Sequence, residues 1–197
     1  MKKILLSGLM AGSLMPAYAT IFEYNAILNG PSESPPNASP GIGFADVKYD
    51  DSAQTLFIDL VFSGLLGTTT ASHIHAATAS PGTGTAGVAT TTPYFSGFPL
   101  GVTSGSFTTT LDLTLASSYN PAYVTANGGT TAGAETALIA AINADKAYLN
   151  IHTTVVPGGE IRGFLLSVPE PSTLALVGLG GFGIAMLARN KKRASKP

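Results

Sequence analysis

Residues 147–166, AYLNIHTTVVPGGEIRGFLL, constrain the fold of this chain more tightly than any other stretch. Tyr148, Asn150 and His152 alternate with Leu149 and Ile151, the period-two pattern of a strand that lays one face on a core. Pro157-Gly158-Gly159 interrupts the run, because proline cannot donate to a ladder and glycine admits a sharp reversal. Glu160 to Leu166 then resumes it, so the stretch predicts a β-hairpin. In its second arm Glu160 and Arg162 share one face, which predicts an ion pair between them. A second stretch upstream answers the first: in Ser72-His73-Ile74-His75-Ala76 two histidines share one face of another strand. The chain has three histidines, and all lie in these two stretches.

The remainder supports a β-rich domain. Residues 22–28, 42–49, 55–62 and 106–115 read as strands, with the tight turn Asp50-Asp51-Ser52 between the second and third. The run 55–62 is nearly continuous in apolar residues, which predicts a central strand. In 106–115, Phe107, Thr109, Leu111, Leu113 and Leu115 form one face. Residues 30–41 carry four prolines and must form a surface loop. Residues 133–146, GAETALIAAINADK, have helical spacing of Leu138, Ile139, Ala141 and Ile142. The fold class expected is all-β: a β-sandwich or Greek-key barrel-like domain with one short helix. Cysteine is absent, so the core must hold the fold without disulfides.

Both ends of the chain differ from this middle part. Residues 1–19 show a basic start, an apolar run and Ala17-Tyr18-Ala19, the pattern of a secretory signal peptide cut after Ala19. Residues 168–197 begin with Pro169-Glu170-Pro171, continue through a glycine-interrupted apolar run over 172–188, and end in Arg189, Lys191, Lys192 and Arg193. That run is just long enough to span a bilayer as a helix. The basic cluster predicts a cytoplasmic end, leaving the β-domain, residues 20–167, outside the inner membrane. Between Glu23 and Arg162 there are ten acidic residues and three basic ones, a net charge of −7. Such a surface repels phosphate backbones, which excludes nucleic acid as a partner.

His73, His75 and His152 are the candidate site. Two imidazoles at i, i+2 on a strand and a third from a neighbouring strand offer three nitrogens, a donor set for zinc or copper; no other cofactor is expected. Glu160 is a candidate oxygen ligand or partner of a histidine. The competing reading has the histidines hydrogen-bonded to loops and Glu160 to a backbone turn. Hydrolytic chemistry finds no motif: there is no G-x-S-x-G, no cysteine and no framed carboxylate pair, so the protein is expected not to be an enzyme. Glu33, Asp46 and Asp112 are loop acids without a calcium-loop pattern. Tyr94, Phe95 and Phe98 are either packing residues or a surface for stacking sugar rings.

The HIH run, the LxGxxExPP-like segment from Leu28 to Pro36, and NIHT…PGGEIRG at 150–163 together resemble the CHRD domain, found in chordin and in exported bacterial proteins. That resemblance covers about 22–166 and implies an all-β extracellular domain. The tail resembles a PEP-CTERM sorting signal, which implies recognition by an exosortase-type enzyme in a Gram-negative bacterium. It further implies an inner-membrane intermediate, then display at the cell surface or extracellular matrix. Such systems accompany exopolysaccharide and biofilm production, so an extracellular polysaccharide or surface protein is the implied partner of a non-enzymatic module.

Overall fold

The computed structural model describes residues 20–168. The proposed signal peptide with its cleavage after Ala19, the Pro169-Glu170-Pro171 motif and the apolar run 172–188 lie outside the described residues. Eight strands form one antiparallel sheet: β1 Ile21–Asn29, β2 Ile42–Asp50, β3 Thr55–Ser63, β4 Thr69–His75, β5 Gly105–Asp112, β6 Tyr148–Thr153, β7 Ile161–Phe164 and β8 Leu166–Ser167. Their order across the sheet is β4-β6-β7-β1-β2-β3-β5, with β8 pairing β1. The sheet curls so that its end strands meet through the segment before β5. There Thr69 N–H donates to Val102, Gly101 N–H to Thr69 and Leu65 N–H to Thr103. Further bonds from Ala89 and Thr90 to Ile74, and from Phe95 to Ser72, cover the edge of β4 and remove it as a site for stray strand pairing. The expected all-β barrel-like class is what forms.

Alternation decides what faces inward. Tyr24, Ala26 and Leu28 of β1, Ala45 and Val47 of β2, and Leu56, Ile58, Leu60 and Phe62 of β3 are all buried. Ile74, Leu149, Ile151 and Ile161 close the other half of the core. Two helices complete it, one more than the sequence predicts. α1, Pro121–Ala126, begins on the Asn120 side chain, which accepts from Ala122 N–H. α2, Thr131–Asn143, starts two residues before the expected helix and is capped by Thr130. It puts Ala134, Leu138, Ala141 and Ile142 into the core. Its polar side chains tie back to the sheet: Tyr24 Oη donates to Asn143 Oδ1 at 2.6 Å and Tyr49 Oη to Glu135 Oε1 at 2.8 Å. That contact, after burial, pushes the Tyr49 phenol up to about 12.

The two halves of the sheet differ on their outer face. On β1, β2 and β3 that face is open, and side chains such as Ile27, Phe44 and Val61 are exposed. On β4, β6 and β7 it is roofed by the loops at 30–41, 76–104 and 154–160, so β6 is buried on both sides rather than half-buried. β3 has a neighbour on each edge, as expected of a central strand, yet its outer face reaches solvent at Asp59 and Val61. The aromatic cluster resolves as packing. Phe95 and Phe98 are buried against Phe107 and Phe62 with centroids 5.5–5.9 Å apart, so a sugar-stacking surface there is overturned.

Candidate metal centre

Register places the polar side chains under the roof. His73 on β4 opposes Asn150 on β6, which opposes Arg162 on β7; one step along, His75 opposes Tyr148, which opposes Phe164; at the other side Ala71 opposes His152. Directly opposed residues point to the same face, so all three histidines project outward into the roofed space. Their rings meet: centroids are 4.6 Å apart for His73 and His75, 4.8 Å for His73 and His152, and 6.1 Å for His75 and His152.

Each ring is fixed by a loop carbonyl. His73 Nδ1 lies 2.9 Å from the Pro93 oxygen, His75 Nδ1 2.8 Å from that of Ala86, and His152 Nδ1 2.8 Å from that of Pro157. A carbonyl oxygen only accepts, so in all three contacts Nδ1 carries the hydrogen. Burial holds the imidazoles neutral: His73 and His75 are lowered to about 4, with the charge of a neighbouring histidine adding to the effect, and His152 is lowered too. A neutral ring with Nδ1–H has a bare lone pair on Nε2. Those lone pairs converge. His152 Nε2 and His73 Nε2 stand 3.0 Å apart, His75 Nε2 is buried without a partner, and one nitrogen from each ring lies within 4.8 Å of the others.

Acceptors gathered this closely, with no donor among them, form an arrangement that a cation satisfies. Nitrogens around a tetrahedral zinc at about 2.0–2.1 Å stand about 3.3 Å apart, inside the range seen here. Nδ1–H bonds to backbone carbonyls are also how metal-ligating imidazoles are oriented. Tyr148 stacks on His75 at 4.7 Å and 9°, and the Arg162 guanidinium lies over the Tyr148 ring, 4.6 Å from its centroid.

The carboxylates do not join this cluster. Glu160 is fully buried, but its oxygens accept from Ser39 Oγ and Leu66 N–H at 2.6 Å, Gly67 N–H at 3.1 Å and Thr153 Oγ1. Burial raises its pKa, yet these four donors prevail and hold it below the ordinary value. Glu160 therefore neither ligates with the histidines nor pairs with Arg162, correcting both expectations; the backbone-turn role stands. Arg162 instead donates to the carbonyls of Ser32 and Gly84 and faces Glu33 at 3.9 Å. Among the expected loop acids, Asp46 pairs with Lys48 and Asp112 accepts from Thr114, so they form no shared site with Glu33. The sequence did not point to Glu33 and Arg162 as partners, although Glu33 sits in the proline-rich loop and 130 residues separate the loop from β7.

The CHRD domain profile matches residues 24–165. The chain belongs to the CHRD domain family. The PEP-CTERM protein-sorting motif matches residues 167–192. The protein is thus an exported CHRD protein, membrane-associated through its tail and sorted by an exosortase to the surface of a Gram-negative cell. No curated protein and no solved structure matches the chain. The histidine centre, the Glu160 hub and the Glu33–Arg162 pair all lie inside the CHRD match.

Proposed function

We propose that this CHRD domain is a surface-displayed metal-binding module holding one zinc or copper ion on Nε2 of His73, His75 and His152. The observation that carries the reading is the convergence of three Nε2 lone pairs whose Nδ1–H groups are all engaged by loop carbonyls. A purely structural histidine cluster would pair donors with acceptors; here two acceptors are held 3.0 Å apart and a third is orphaned. Because the three carbonyls belong to separate loop positions, the bound ion would also fasten the roof to β4 and β6, so metal affinity contributes to folding stability.

The role is binding rather than catalysis. Glu160, the first carboxylate after His152 in the sequence, spends its lone pairs on four other donors, which leaves it unable to act as a general base beside the ion. The sorting signal favours extracellular polysaccharide or another surface protein as the partner of the displayed domain, in keeping with a matrix or biofilm setting.

Elemental analysis of the domain 20–167, purified without a histidine tag, tests this against a His73→Ala/His75→Ala/His152→Ala variant. Near-stoichiometric zinc or copper in the parent and none in the variant is expected. Metal-free parent protein after incubation with either ion would refute the reading.

A further inference from the structure

Where the sheet is not roofed, its outer face is apolar. Ile27, Phe44 and Val61 stand opposite one another on β1, β2 and β3, a straight row across three strands. Ile27 is 70% exposed, Val61 49% and Phe44 44%, and Ile42 beside them is 60% exposed. On a solvent-facing sheet such positions are normally polar, and the same strands do carry Asp46, Lys48 and Asp59 further along this face. The row borders a shallow hollow of about 390 Å³. A contiguous apolar patch of this kind marks an interaction surface.

The course of the chain says what the patch meets. β8 brings Leu166 opposite Asn25, on the same face as Ile27, and Leu166 is 51% exposed. Val168, the last described residue, lines a second hollow together with Ile27, Phe44 and Leu166. Only five residues, Pro169 to Thr173, then separate this face from Leu174, the first large apolar residue of the run 172–188 within the sorting segment. Fully extended they reach about 17 Å. A domain of this length has a radius of gyration of about 15 Å, so so short a tether cannot let it tumble away from a bilayer that holds the tail. The face around the exit is the one brought to the lipid, and it is the apolar one. With a net charge of −7 over the middle of the chain, attraction to anionic headgroups cannot supply the contact; burial of apolar side chains can.

We infer that, while the tail remains attached, the CHRD domain rests on the outer surface of the inner membrane through Ile27, Ile42, Phe44, Val61 and Leu166. This presents the tether, and the sorting motif that follows it, close to the bilayer. Cleavage of the tail would release the face.

The natural chain has no cysteine, so single-site probes are clean. The full chain carrying Phe44→Cys, Val61→Cys or, as a control on α1, Thr125→Cys is labelled with bimane and reconstituted into phosphatidylcholine liposomes. Each labelled protein is first shown to melt as the parent does, and the two patch positions serve as independent probes. Quenching by doxyl-labelled phosphatidylcholine is expected to be several-fold stronger at 44 and 61 than at 125, with aqueous iodide showing the reverse and added salt changing neither. Iodide access at 44 and 61 equal to that at 125 would overturn the inference. So would shielding from both quenchers accompanied by disulfide cross-linking of unlabelled Phe44→Cys chains, which would assign the patch to a second copy.

Discussion

Replacing the Glu160 carboxylate with an amide tests how the site is supported. Each oxygen of Glu160 accepts one backbone N–H and one hydroxyl: Oε1 from Leu66 and Ser39, Oε2 from Gly67 and Thr153. The hydroxyls can turn and accept instead, but the N–H groups cannot. In Glu160→Gln, whichever way the amide sits, its NH2 must face one fixed backbone N–H. That loses a charge-assisted bond and strands a buried donor, about 3 kcal/mol in all. For a domain of this size the melting temperature falls by about 10 °C. The pH dependence changes as well. Since the folded-state pKa of Glu160 is depressed, its contribution is present above the ordinary carboxylate value and lost as pH falls through the lower folded value. The parent should therefore lose stability on acidification below about pH 4.5 more steeply than the variant. Thermal unfolding followed by circular dichroism from pH 7 to pH 3 measures both effects. A melting temperature within about 2 °C of the parent at pH 7 would refute the hub role of this carboxylate.

Two other buried positions give opposite signs. Burial raises the Glu33 carboxyl to about 7 despite the Arg162 charge, and its Oε1 has no partner. With a raised folded-state pKa, the stability it contributes is full below about pH 4.5 and is lost as pH climbs through about 7. Glu33→Gln should remove that decline, so its stability relative to the parent improves by about 1–2 kcal/mol between pH 5 and pH 8, read by urea unfolding; an unchanged difference would contradict it. At Gly159 the backbone has φ +127°, and a Cβ would come within 2.6 Å of Asn150 Nδ2 and 2.9 Å of Glu33 Oε1. Gly159→Ala should cost more than about 2 kcal/mol and weaken metal retention by displacing the loop that holds His152, whereas Gly158→Ala, with open space around it, should do neither.

The strands were legible because their buried residues repeat every second position, and β1, β2, β3 and the closing hairpin fall within a residue or two of where the pattern puts them. The three histidines were legible as a group for the same reason: shared parity on two strands. What was not legible is instructive. α1 has six residues, too few for helical periodicity, and its only trace is Asn120 before Pro121, a cap followed by a first-turn proline. The carbonyls of Ala86, Pro93 and Pro157, which fix the imidazoles, leave no side-chain signature at all. Parity also misled. Glu160 and Arg162 sit two apart, but β7 begins at Ile161, so Glu160 belongs to the turn and bends away to meet Ser39 and the 66–67 amides. The apolar run in β3 did mark a central strand, paired on both edges, but composition does not distinguish a covered face from an exposed apolar one, and Val61 lies on the open face.

The most direct test of the metal centre is anomalous diffraction from crystals of the domain equilibrated with zinc, recorded on both sides of the zinc absorption edge. A single strong peak is expected at about 2.0–2.1 Å from Nε2 of His73, His75 and His152, with the Nδ1 contacts to Pro93, Ala86 and Pro157 retained. Density showing a hydrogen-bonded water among the three rings, with no anomalous signal there, would contradict the assignment.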